Sequence, residues 1–177
     1  MRGLVDRERL LRFMRELGRR SPVAARIYLT GGSSAVLLEW RTSTIDVDID
    51  IHPESDQILR NIPALKEELQ INVELASPGH FIPELAGWKE RSQFITREGL
   101  IDYFHYDFYA QALSKVERSH ARDLLDVRAM HERGLIEPGR LLEFYAAIEP
   151  ELFHYPAIDP PAFRRAVERM ARELGEE

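Results

Sequence analysis

Apolar and polar positions alternate without a break from Ile45 to Ile51, in the run Ile-Asp-Val-Asp-Ile-Asp-Ile. A period of two predicts a strand with Ile45, Val47, Ile49 and Ile51 on one face and Asp46, Asp48 and Asp50 on the other. Shorter segments predict a buried strand over Arg26–Thr30 and a further strand over Ile71–Leu75, closed by Ser77-Pro78-Gly79. Gln93–Thr96 and Leu100–Phe104 predict a hairpin around Arg97-Glu98-Gly99. Gly31-Gly32 makes a tight turn after Thr30, and Ser33 or Ser34 is expected to cap a helix running to about Trp40. Helical spacing covers Val5–Arg19, with Gly18 as its stop, and Ser55–Leu69, interrupted by Pro63. Beyond Asp107 the period is helical: Asp107–Arg133, broken near Ser119 and ended by Gly134, then Pro138–Ile148 and Pro161–Leu174. Pro156 and Pro160-Pro161 mark the linker between the last two. The expected fold class is α/β (α+β). A mixed sheet of four or five strands with flanking helices fills residues 1–106, and a helical portion fills residues 107–177, as a separate domain or continuous with the first.

Composition narrows the setting. At 177 residues, with 44% apolar side chains, the chain is long enough for a real core. It has no cysteine, which excludes disulfides and thiolate metal sites, and an intracellular, cytoplasmic home is the simpler expectation. No apolar run approaches the length of a membrane span, so no membrane partner is expected. A net charge of −6 argues against broad, non-specific nucleic-acid binding, while leaving room for a local basic patch.

The aspartates are the unusual chemistry. Same-face neighbours on a strand stand about 6.5–7 Å apart, and at an effective dielectric of about 20 each like-charged pair costs roughly 2.4 kcal/mol before screening. Aspartate is also a poor strand former. A divalent cation held by carboxylate oxygens would offset both effects. His52, His80, His105, His120, His131 and His154 are scattered, with no pair at the i,i+4 zinc spacing. His105, between Phe104 and Tyr106, is expected to pack within a strand. No Gly-x-Ser-x-Gly elbow supports a serine hydrolase.

Gly31-Gly32-Ser33, twelve intervening residues and then Asp46-Val47-Asp48 resembles the DNA polymerase beta nucleotidyltransferase superfamily. Arg41 and Thr44, just ahead of the aspartates, are similar to those of its minimal members, such as the AbiEii-type nucleotidyltransferase toxins and related bacterial proteins. The resemblance spans roughly residues 27–127. It implies a nucleotidyltransferase-like sheet and transfer of a nucleotide from NTP to a hydroxyl acceptor, with Mg²⁺ or Mn²⁺ as cofactor. Asp46 and Asp48 would be the metal ligands, and Gly31, Gly32 and Ser33 the phosphate contacts. The third carboxylate expected on a neighbouring strand is Glu74 by position, with Asp50 competing for it and counted among the metal ligands. Lys115 and Arg118, three apart on a later helix, would neutralise triphosphate, and Asp123 and Asp126 would anchor helices or orient Lys115. The acceptor is open between RNA (a tRNA 3′ end), a protein side chain and a small molecule. A toxin–antitoxin role, a partner protein and a homo-oligomer are open as well. The alternative to an enzyme is a catalytically degenerate nucleotide-binding or protein-interaction module.

Overall fold

A computed structural model describes residues 2–176. These fall into two compact units. One runs up to Ser77 and adds Ser92–Tyr106, and the other joins Pro78–Arg91 to the segment from Asp107 onward.

In the first unit, five strands among the described residues form a mixed sheet. They are β2 (Ala25–Thr30), β4 (Asp46–His52), β5 (Asn72–Leu75), β6 (Gln93–Glu98) and β7 (Ile101–His105), in the order β5-β4-β2-β7-β6. The β4–β5 and β2–β7 pairs are parallel, and β2–β4 and β6–β7 antiparallel. Two short strands, β1 (Val5–Asp6) and β3 (Ser43–Thr44), pair separately and lead into α1 (Arg7–Arg20) and β4. The alternation holds from Asp46 onward: Val47, Ile49 and Ile51 are buried and Asp46, Asp48, Asp50 and His52 half-buried, whereas Ile45 precedes the strand and is exposed. The apolar face joins one core with Leu10, Phe13, Met14 and Leu17 of α1 and with Ile58, Ile62, Leu65 and Leu69. Those last four belong to α3 (Asp56–Leu59) and α4 (Ile62–Leu69). Fully burying side chains of this size contributes about 1.5–3 kcal/mol each, which sets the sheet's facing.

Several boundaries differ from the expectations for physical reasons. Gly18 does not stop α1. It lies inside the helix because a Cβ there would stand 2.3 Å from the Glu98 carbonyl oxygen, so only glycine lets helix and hairpin meet. Asp6 caps α1 by accepting from Arg9 N at 2.9 Å. Pro63 starts α4 rather than merely interrupting a longer helix, since proline suits a first turn. The hairpin extends further than its apolar pattern, because Arg97 and Glu98 join β6.

The second unit is helical: α5 (Trp88–Arg91), α6 (Phe108–Arg118), α7 (Ala121–Glu132), α8 (Pro138–Ile148) and α9 (Pro160–Gly175), with 3₁₀ turns at Pro78–His80 and Glu149–His154. The long helical stretch after Asp107 does break at Ser119, a non-glycine in the left-handed region (φ 57°) that ends α6. Asp107 caps α6 by accepting from Tyr109 N, and Arg91 donates to its other oxygen at 2.8 Å. Helix α6 is buried from Phe108 to Val116 and packs on α7, α8 and α9. Among the described residues no helix is long and apolar enough to cross a membrane.

Candidate functional site

The first unit gathers acids at one corner of its sheet. The antiparallel register sets Thr30 of β2 opposite Asp48, and the parallel register sets Asn72 and Glu74 of β5 beside Asp46 and Asp48. Asn72 Nδ2 donates to Asp46 Oδ1 at 2.7 Å and to Glu74 Oε1 at 3.1 Å, so one amide ties carboxylates from two strands together. Asp50 lies further along β4, where His52 Nε2 stands 2.9 Å from its Oδ2. Glu74 is thus drawn to Asp46, whereas Asp50 is engaged at the opposite end of the strand.

The glycine turn adjoins the same corner. Gly31 sits at φ 62° and ψ −130°, a conformation that disfavours any side chain, and a Cβ there would reach within 3.3 Å of Asp48 Oδ2. Gly32 opens α2 (Gly32–Leu37), and its Cβ would fall 2.0 Å from Thr44 Oγ1. Thr44 Oγ1 in turn donates to the Asp46 carbonyl at 3.1 Å. Turn, threonine and first aspartate therefore form one packed unit.

The serines differ from the expected caps. Gly31 occupies the cap of α2, and both serines lie inside a helix that ends at Leu37 rather than near Trp40. Ser34 Oγ donates to Leu29 O at 3.4 Å and stands 2.9 Å from His105 Nδ1. Ser33 is fully buried, and its hydroxyl has no hydrogen-bond partner among the described residues. Burial pushes the His105 imidazole down to about 4, so it is neutral near pH 7. It packs at the end of β7, as its aromatic neighbours imply.

The cations lie in the second unit. Lys115 Nζ stands 2.8 Å from Asp126 Oδ2 and 3.4 Å from Asp123 Oδ1, with all three side chains buried. Arg118 donates to Asp123 Oδ1 at 2.7 Å while its own side chain remains 44% exposed. These four bind α6 to α7.

The donor set at the acid corner fits one kind of cation site. Among the described residues no three His, Asp or Glu side chains are gathered so as to hold a metal by themselves. Mg²⁺ commonly takes only one or two carboxylates and fills its shell with phosphate oxygens and water. Asp46 and Asp48, hard oxygen donors on one half-exposed face, suit that arrangement and not a closed cage. Asn72 and His52 are site neighbours that the motif pattern does not point to, whereas Thr44 belongs to the resemblance. Asn72 had a readable signal, because it shares the strand face of Glu74 in Ile71-Asn-Val-Glu-Leu75.

No curated protein and no solved structure gives a significant match to the chain. A family described as nucleotidyltransferases of unknown function (DUF6036) matches residues 8–150, which takes in the glycine turn, the three β4 aspartates, Glu74 and the Lys115 cluster. The chain belongs to that nucleotidyltransferase family.

Proposed function

We propose that this protein is a divalent-cation-dependent nucleotidyltransferase with an active centre at the Asp46–Asp48 corner, organised as in the DNA polymerase beta superfamily and its AbiEii-like minimal members. The observation that carries this reading is the convergence of Gly31, Asp48, Asp46 and Glu74 from a turn and two strands. Mg²⁺ or Mn²⁺ bound there would neutralise charge on the triphosphate and acidify the acceptor hydroxyl. Asp46 and Asp48 supply oxygen ligands, and the Gly31–Gly32 turn lets phosphate approach the backbone closely. Ser33, whose buried hydroxyl has no hydrogen-bond partner among the described residues, would be a further donor at this turn. The acceptor oxygen forms a bond to the α-phosphorus, the bond to pyrophosphate breaks, and the acceptor proton passes to a carboxylate, for which Glu74 is placed better than Asp50. RNA, a protein side chain and a small molecule are all hydroxyl acceptors for this chemistry. A toxin–antitoxin role is compatible with an RNA acceptor such as a tRNA 3′ end or with a protein acceptor.

One observation favours the second reading, a degenerate nucleotide-binding or interaction module. Lys115, which resemblance makes a triphosphate cation, is buried between two aspartates. The two readings separate in one experiment. Thermal shifts with each of four NTPs plus Mg²⁺ report binding, because a ligand specific to the folded state raises apparent stability. Incubation with labelled NTP then reports transfer. A shift with transfer supports the enzyme, a shift without transfer supports the module, and no shift with any nucleotide overturns both nucleotide readings.

A further inference from the structure

The Asn72 side chain sits where two strands bring carboxylates together, and its orientation is set by its neighbours. Arg2 Nη1 stands 3.3 Å from Asn72 Oδ1, which as an acceptor must face that guanidinium. The Nδ2 end consequently faces Asp46 and Glu74, with one N–H for each. Exchanging the two ends would oppose donor to donor at Arg2 and acceptor to acceptor at both carboxylates. Asn72 is also the register partner of Asp46 across the parallel β4–β5 pair, so the contact is built into the sheet rather than into a loop.

From this geometry we infer that Asn72 is a positioning residue for divalent-cation binding. It holds Asp46 Oδ1 and Glu74 Oε1 on a neutral amide and leaves Asp46 Oδ2 as the oxygen available to a cation. The inference rests on the nucleotidyltransferase reading, since only there does the corner bind a cation. With Oδ1 occupied by Asn72, Asp46 is a single-oxygen ligand of fixed orientation, which suits the strict octahedral demand of Mg²⁺. Without the amide, the Asp46 and Glu74 carboxylates turn independently, and binding has to order both. Outer partners of metal ligands of this kind typically contribute about 10–100-fold in metal affinity. The same amide separates two like charges in the cation-free protein, where a third carboxylate would increase the repulsion.

Two substitutions with opposite expectations test this. Mn²⁺ is titrated into the full chain and read by loss of the free-ion electron paramagnetic resonance signal, with cation-free melting temperatures measured alongside. Asn72→Leu should weaken Mn²⁺ binding by about 10-fold or more and leave the cation-free protein folded. Asn72→Asp should tighten Mn²⁺ binding and lower the cation-free melting temperature, because a carboxylate is added beside Asp46. A purely structural asparagine would predict a lower melting temperature for both variants with unchanged affinity. Unchanged Mn²⁺ affinity in both variants, with a wild-type protein that binds, overturns the positioning role alone. A wild-type protein that takes up no Mn²⁺ overturns the underlying cation-site reading instead.

Discussion

The two clusters of acids in this protein have opposite characters. In the helical unit, Asp123 and Asp126 are buried against Lys115 and Arg118, two anions with two cations between α6 and α7. In the sheet unit, Asp46 and Glu74 share a neutral amide and remain within reach of solvent, and Asp50 rests on a histidine. Taking charges out of water is tolerated only when partners and hydrogen bonds are already in place. A buried, internally paired cluster therefore serves best as an anchor, and a half-exposed acidic corner beside a glycine turn serves best as a site.

Breaking the anchor should give the largest effect. Lys115→Met removes the 2.8 Å cation from buried Asp126 and leaves Asp123 with Arg118, and it should cost about 3–5 kcal/mol in urea unfolding. A loss below about 1 kcal/mol, the range of exposed pairs, would place the cluster in solvent-like surroundings. The acid corner should answer in the opposite currency. Asp46→Asn should lower nucleotide transfer about 100-fold or more, a size typical for loss of one charge-stabilising group, and shift unfolding stability by no more than about 1 kcal/mol. Full activity in that variant would remove Asp46 from the chemistry.

A third test follows burial inside the sheet unit. With an unperturbed value of 6.5 and a folded value of about 4, His105 takes up its proton more readily in the unfolded chain. Stability from this group is complete above pH 6.5 and falls as pH drops towards 4, by up to about 3 kcal/mol at 1.36 kcal/mol for each pH unit. His105→Asn, which retains a donor towards Ser34, should flatten that acid limb. An unchanged slope would assign it to carboxylates. The smallest effect is expected at the turn: Gly32→Ala pushes a methyl into Thr44 and should cost about 1–3 kcal/mol. Adding Thr44→Gly should restore part of the loss, and no recovery would locate the strain elsewhere.

Much of the fold was legible because its signals are local. Alternation in β4 and β5, the apolar run in β2, and the glycine and proline punctuation from Gly134 onward each act within a few residues. Pro78–His80 and Trp88–Arg91 carry no pattern of their own, since three or four residues span only about one helical turn and cannot show a repeat. Ser33 and Ser34 misled for another reason. Serine near a glycine suits a cap, yet Gly31 took the cap position, and the Ser34 hydroxyl turned to Leu29 and His105.

By itself, the sequence determined that Asp46, Asp48 and Asp50 share one face and that a glycine turn precedes them, because strand periodicity and glycine's conformational range are properties of adjacent residues. Tertiary structure alone decided that Glu74 and Asn72 stand beside Asp46 and Asp48 and that Gly32 packs on Thr44. It also decided that Lys115 is enclosed by Asp123 and Asp126. Strand order, register and helix burial are settled by the hydrophobic packing of segments far apart in the chain, and no local pattern carries that information.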